Sequence, residues 1–199
     1  GILLIGAILI FIVNPPVAAL NGGITNLLNS MGSTSKVLLG LVLGGMMAID
    51  MGGPFNKAAY VFGTASLATG NNDIMAAVMI GGMVPPLAIA LATTFFKNKF
   101  TSRERQSGIT NYIMGISFIT EGAIPFAAAD PLRVIPSCVI GSAVAGGLSM
   151  FFGCQTLAPH GGLFVVPVMT NPFMFVVSLI IGSLVGMVLL GVLKKPLDR

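Results

Sequence analysis

The chain has 199 residues, 55% of them hydrophobic and only 8% charged, with a formal net charge of +4 and a mean hydropathy of +0.96. A soluble domain carries about 25% charged residues, so this composition excludes an ordinary soluble enzyme and points to an integral membrane protein in a lipid bilayer. The basic residues gather mainly at Lys97-Asn98-Lys99 to Arg103-Glu104-Arg105 and at Lys194-Lys195 to Arg199, without a basic helix face or interleaved aromatics, so nucleic acid is excluded as a partner.

In chain order, Gly1 to Val13 is an apolar run with no basic residues before it, which does not fit a signal peptide. It reads as a helix entered part-way, and the chain as part of a longer membrane protein. This first segment extends to about Leu28 and is interrupted at Asn14-Pro15-Pro16. The second, Lys36 to Met51, holds only 13 apolar residues, Val37 to Ile49, where a span needs about 20. It runs through Asp50 into Gly52-Gly53-Pro54-Phe55-Asn56-Lys57, where charge and a backbone break coincide. Ile74 to Phe96 gives 23 uncharged residues, long enough to span, with a kink expected at Pro85-Pro86. Lys97 to Ser107 reads as a polar loop, and Ile109 to Thr120 as a 12-residue apolar limb. Val134 to Phe152 is a 19-residue span whose Gly141-Ser142-Ala143 and Ala145-Gly146-Gly147 permit close helix packing. Gly153 to Gly162 is a short linker holding the single histidine, and Pro172 to Leu193 is a last span ending at Lys194-Lys195.

The most informative stretch is Ile119-Thr120-Glu121-Gly122-Ala123-Ile124-Pro125, followed by Asp130-Pro131-Leu132-Arg133. Ionisable residues cost several kcal/mol in hydrocarbon, so they face a cavity or one another, and proline-broken backbone is tolerated there only where it is buried or lines a site. Basic flanks mark the cytoplasmic side, which assigns both the 97–107 loop and the C-terminal tail to it. Two clean spans follow Arg133, so parity requires residues 109–133 to enter and return. The fold class expected is an all-α polytopic membrane protein with broken transmembrane helices and a re-entrant hairpin carrying Glu121 at its tip.

Within that frame Glu121 is the leading candidate, a carboxylate able to accept hydroxyl hydrogen bonds or act as a base, beside Thr120 and a Gly122 that allows close backbone approach. His160, on a Pro-His-Gly-Gly turn, can take a hydroxyl proton near neutral pH. Asn56 can both donate to and accept from a hydroxyl. Asp50 and Lys57 are expected to neutralise each other across the Gly-Gly-Pro break. Asp130 and Arg133, three apart, either pair locally or leave Arg133 to contact a phosphoryl group. Cys138 and Cys154 read as buried small hydrophobes. No zinc spacing, phosphate-binding loop or dinucleotide fingerprint is present, so neither metal nor cofactor is expected.

The strings Met51-Gly52-Gly53-Pro54-Phe55-Asn56-Lys57-Ala58-Ala59-Tyr60, Ile119-Thr120-Glu121-Gly122-Ala123-Ile124-Pro125-Phe126, Ala129-Asp130-Pro131-Leu132-Arg133-Val134-Ile135-Pro136 and Pro159-His160-Gly161-Gly162 closely resemble the membrane component (EIIC) of the fructose-type bacterial phosphotransferase system, in order and over nearly the whole chain. The Ile-Thr-Glu element also resembles the sugar-binding hairpin of the wider glucose-type superfamily. The resemblance implies a multi-pass permease of the bacterial inner membrane, working as a homodimer in an elevator-like cycle. It would bind a hexose, fructose first, with mannose or a mannosyl-glycerate derivative also suited to such a scaffold. A phosphorylated EIIB partner, fused or separate, would phosphorylate the sugar from a phosphocysteine, giving fructose 1-phosphate. The chain would then be the membrane part of a protein-phosphocysteine–D-fructose phosphotransferase, residues 1–199 forming a partial EIIC domain that lacks N-terminal helices. Glu121 corresponds to the family's sugar-binding glutamate, and His160 falls on its Pro-His-Gly element. The Cys-Pro-Thr-Gly phosphorylation motif of EIIB is absent from the sequence. The competing reading from the residues alone is an ion-coupled secondary sugar transporter, which also needs carboxylates at broken helices.

Overall fold

The computed structural model describes residues 33–196, together with residues 6, 11, 12 and 15. The interrupted segment 1–28 therefore lies almost wholly outside the described residues. Residues 1–36 and 37–199 form separate compact units, and apart from the first four residues of the first helix everything that follows lies in the second. Its regular elements are helical: α1 (Ser33–Ile49), α2 (Pro54–Ala68), α3 (Asn72–Phe95), α4 (Ser102–Ile116), α5 (Ile124–Ala129), α6 (Pro131–Phe151) and α7 (Pro172–Leu193). Short 3-10 turns occupy Lys97–Lys99, Thr120–Ala123 and Gly162–Val168. Among the described residues three helices are long and apolar enough to cross a membrane, α3, α6 and α7. These are the three spans read from the sequence, and α1 is the short apolar helix expected before the Gly-Gly-Pro break.

Helix α3 is apolar all round, and a helix of that kind belongs in the interior. It is buried along most of its length, with α2, α4, α6 and α7 packed around it. The small residues of α6 make this packing close. A Cβ placed on Gly141 would lie 2.6 Å from the Gly182 carbonyl oxygen of α7. One placed on Gly81 of α3 would lie 2.6 Å from the Gly44 Cα of α1. Where hydrophobicity cannot drive helices together, such backbone approach supplies the dispersion contact.

The double proline of α3 has a specific consequence. Proline has no N–H, so Pro85 and Pro86 leave the carbonyls four residues earlier, Gly81 and Gly82, without their helical donors. Both carbonyls are satisfied from outside the helix. Ser142 Oγ of α6 donates to Gly81 O at 2.8 Å, and Thr120 Oγ1 donates to Gly82 O at 2.9 Å. Gly82 lies near the middle of α3, so Thr120 ties the turn after α4 to the midpoint of the central span. Removing the hydroxyl with Thr120→Val leaves a buried carbonyl without a donor, a cost of about 1–3 kcal/mol. Pro86→Ala restores an N–H able to serve that carbonyl, so in that background Thr120→Val is expected to cost about 1 kcal/mol less. Thermal unfolding of the four proteins of the cycle checks this; additive effects would show that the link to Gly82 O does not hold the turn.

The chain from α4 to α5 leaves one end of the helix array and returns to it. Lys194, just after α7, lies 3.7 Å from Glu104 at the start of α4 and 3.6 Å from Asp130 just after α5, with its Nζ 5.1 Å from the centre of the Phe100 ring. The Lys99 ammonium donates to the Gly191 carbonyl at the same end. The polar stretch Lys97–Ser107 is not a loop throughout, as the sequence reading had it. Its second half is the first turn of α4, capped by Thr101, whose side chain accepts from the Glu104 N–H at 3.2 Å while Glu104 accepts the Thr101 N–H at 2.7 Å. The limb before Glu121 therefore begins at Ser102 rather than Ile109. The Thr-x-x-Glu capping box was present in the sequence and marks that start.

Candidate functional site

Three backbone breaks and the start of one helix converge beside Gly82. The first is the break between α1 and α2. Asp50 holds it as a cap: its Oδ2 accepts the Phe55 N–H at 2.7 Å and its Oδ1 the Asn56 N–H at 3.0 Å. Met51 and Gly52 take left-handed backbone there, with φ of 48° and 119°. The second is the start of α2, which turns Asn56, Lys57 and Tyr60 inward. The third is the turn after α4, where Phe118 has φ 63°, a conformation that costs a bulky residue about 1–3 kcal/mol and that concentrates at functional sites. The fourth is the Pro159-His160-Gly161-Gly162 turn. Gly161 and Gly162 have φ of 126° and 58°, and Gly162 lies so close to the end of α4 that a Cβ would be 3.0 Å from the Phe118 nitrogen.

These pieces enclose a cleft of about 220 Å³ lined by Met47, Asn56, Lys57, Tyr60, Phe118, Thr120, Glu121 and His160. Glu121 is half exposed, and its Oε1 lies 3.6 Å from Lys57 Nζ. A Cβ on Gly52 would come within 3.0 Å of the same Oε1, so the bare backbone of Gly52 forms the wall against which the carboxylate rests. Asn56 is buried. Its Nδ2 donates to Met47 O at 2.7 Å, which orients the amide and leaves Oδ1 without a donor among the described residues. The His160 ring stacks at a tilt on Phe118, centroids 4.9 Å apart, and meets Tyr60 edge-on at 6.5 Å. Tyr60 and Phe118 are themselves 6.2 Å apart. The cleft thus combines a carboxylate, an ammonium, an amide, an imidazole and an aromatic wall. Convergent polar groups on an apolar wall suit a small polyhydroxylated ligand whose C–H face is apolar.

Of the residues singled out in the sequence, Asn56, Thr120, Glu121 and His160 line this cleft together. Gly122 does not line it; it packs the turn onto α4, where a Cβ would lie 2.5 Å from Asn111 Oδ1. Two expectations change. Lys57 pairs with Glu121 and not with Asp50, because Asp50 is already engaged by the two N–H groups of the break. Arg133 lies outside the cleft, in the first turn of α6, where its Nη1 donates to both Asp130 oxygens at 3.1 and 3.0 Å. The local-pair alternative for Asp130 and Arg133 is the one observed, and Asp130 shares Lys194 as well. Tyr60 and Phe118 went unnoticed in the sequence, where nothing but their adjacency to the Asn56-Lys57 and Ile-Thr-Glu strings distinguishes them from other apolar residues.

Both cysteines are free and buried. Cys154, beyond the end of α6, donates to the Asn171 carbonyl at 3.7 Å, and burial pushes its thiol above the usual range. A thiol so shifted is a poor nucleophile, and both cysteines fit the reading as small hydrophobes. No cluster of side chains suited to a metal ion occurs among the described residues.

A family model described as the phosphotransferase system EIIC matches residues 1–141. The chain belongs to the EIIC family. This EIIC chain is 57% identical over its whole length to the fructose-specific EIIABC component of Bacillus subtilis, of which it covers 31%, and 57% identical to the fructose permease IIC component of Bacillus amyloliquefaciens, of which it covers 65%. It is 47% identical, over 98% of its length, to the fructose-specific EIIB'BC component of Escherichia coli, of which it covers 35%. The chain therefore spans from about a third to about two thirds of the length of these relatives. No solved structure matches it.

Proposed function

We propose that this EIIC chain is the sugar-handling part of a fructose permease that carries its substrate across the bacterial inner membrane while an EIIB partner phosphorylates it. The observation that carries the reading is the convergence of Asn56, Lys57, Glu121 and His160 on one aromatic-walled cleft at the depth of Gly82. The fructose-specific names of the relatives support the choice of sugar, and the EIIB'BC and EIIABC names among them support an EIIB partner, fused or separate. Glu121 accepts hydrogen bonds from two sugar hydroxyls, Lys57 holds the carboxylate in place, and Asn56 Oδ1 accepts a third hydroxyl. The ring's C–H face lies on Tyr60 and Phe118.

In the transfer step the S–P bond of the EIIB phosphocysteine breaks as an O–P bond forms on a hexose hydroxyl. The hydroxyl proton passes to His160, whose ring nitrogens take no hydrogen bond from the described residues while Glu121 is already paired with Lys57. The chain brings no phosphocysteine of its own, since the EIIB motif is absent from its sequence.

Residues 102–130 form, in this reading, a hairpin that enters the bilayer and returns. Support comes from Lys194, which reaches both limbs at one end, and from Thr120, which meets the middle of α3. Lys97, Lys99, Arg103, Arg105, Lys194 and Lys195 gather at that end, and the positive-inside rule makes it cytoplasmic. The protein works as a homodimer, as its family resemblance implies.

Membrane vesicles containing the full-length protein test the reading. With phosphoenolpyruvate and the soluble phosphotransferase proteins, labelled fructose is expected to accumulate only as its phosphate and independently of ion gradients. Accumulation of free fructose that collapses with the gradient would instead establish ion-coupled transport.

A further inference from the structure

A cavity of about 600 Å³ lies at the basic end of the array, away from the sugar cleft, and Lys97, Ser102, Arg103, Arg105, Thr94 and Ile109 contribute to its lining. No carboxylate lines it. Glu104, on the same turn as Arg103 and Arg105, is engaged by Lys194 and by the Thr101 N–H. Lys97, Arg103 and Arg105 make no ion pair among the described residues. Arg105 Nε is shielded from solvent and has no acceptor, although a buried guanidinium nitrogen ordinarily has one. Three cations with no counter-ion around a concave pocket call for an anion, and a guanidinium fork suits the oxygens of a phosphate.

The pocket's position selects the kind of phosphate. Thr93 and Thr94, in the last turn of the 24-residue span α3, line it, which puts it at the level of lipid headgroups. From it an apolar strip leads back toward the hydrocarbon. Phe95, Ile109 and Ile113 are 67%, 66% and 69% exposed, and the two isoleucines sit four apart on one face of α4. We propose that this pocket holds the headgroup of an anionic phospholipid, the phosphate lying between Arg103, Arg105 and Lys97, the Ser102 hydroxyl donating to it, and an acyl chain following Ile109 and Ile113. The site fastens the start of α4 to the membrane surface and so fixes the base from which the Glu121 turn extends. It rests on the membrane location of the chain and not on the identity of the sugar.

Native mass spectrometry of the full-length protein in neutral detergent, titrated with phosphatidylglycerol, tests the site. The wild-type protein is expected to retain a phosphatidylglycerol adduct that the Arg103→Gln/Arg105→Gln variant binds about twentyfold more weakly. Phosphatidylcholine is expected to bind both proteins equally poorly. Arg103→Gln alone, which removes an exposed side chain, is expected to weaken phosphatidylglycerol about fivefold and serves if the double variant does not survive purification. Lys195→Gln, a charge lost outside the pocket, is expected to change little. Equal retention by wild type and variants, or an equal loss in Lys195→Gln, would overturn the proposal. So would full displacement of the lipid by millimolar inorganic phosphate, which would make the pocket a site for a soluble anion. Unchanged lipid binding with lost association of the soluble phosphotransferase proteins would make it a protein-docking surface, and would equally overturn it.

Discussion

Glu121→Gln is expected to weaken fructose binding to the full-length protein a hundredfold or more, with little change in thermal stability. The two halves of this expectation have different origins. Hydrogen bonds to a charged group contribute about 1.5–3 kcal/mol each, and a carboxylate can accept from two sugar hydroxyls at once. Gln keeps one acceptor oxygen but loses the charge and offers an N–H where a hydroxyl donates. Folding, by contrast, gains little from Glu121. Among the described residues its one ionic partner is Lys57 at 3.6 Å, both side chains are about half exposed, and such pairs contribute about 0–1 kcal/mol. Titration calorimetry alongside thermal unfolding separates the two. A variant that binds fructose normally removes Glu121 from the site, whereas one that simply unfolds shows the carboxylate to be structural.

Gly162→Ala carries the second large effect, this time on the architecture of the cleft. The residue has φ 58°, which disfavours any side chain, and its Cβ would run into the Ile116 carbonyl oxygen and lie 3.0 Å from the Phe118 nitrogen. These are backbone atoms at the end of α4 and cannot swing aside, so the Pro-His-Gly-Gly turn must lift. Together the strain and the shift are expected to cost about 2–4 kcal/mol and to lower Tm by roughly 5–15 °C. His160 moves with the turn, so sugar phosphorylation falls as well. Gly153→Ala supplies the comparison. Gly153 has nearly the same φ, 62°, but nothing lies within 4 Å of the added carbon. It should cost only about 1 kcal/mol. Equal melting temperatures for the two variants would mean that the turn is not docked on α4.

How far the sequence discloses this arrangement depends on the kind of signal. The three spans are legible because length and unbroken hydrophobicity are read directly in a bilayer. The Ile-Thr-Glu turn is legible because charge and proline inside apolar sequence have few tolerable explanations. Pro85-Pro86 shows a disruption of α3 but not its use. That the freed Gly81 and Gly82 carbonyls are taken by Ser142 and Thr120 depends on residues 61 and 38 positions away. Lys57 illustrates the limit of local reasoning. Asp50 is seven residues before it and Glu121 is far along the chain, yet the N–H groups of the break occupy Asp50 and the distant carboxylate takes the lysine. Asp130 and Arg133, three residues apart, read first as a local pair with an anion contact as the other choice, and the local pair is the one observed. The aromatic wall had no local signal, since Phe118 enters the cleft through a left-handed backbone that no neighbouring residue announces. The start of α4 is a different case, because the Thr101 and Glu104 capping box lay in plain sight inside a stretch too polar to suggest a helix.

The hexose is expected in the cleft between Glu121, Asn56 and His160 and not in the more basic cavity near Arg105. Photolabelling of the full-length protein with a diazirine-bearing fructose analogue, followed by peptide mapping, distinguishes the two places. The label is expected on the peptides carrying Asn56 to Tyr60 and Phe118 to Glu121, and to disappear with excess fructose. Fructose-protected label confined to residues 93–109, with none on those two peptides, would put the sugar in the basic cavity instead.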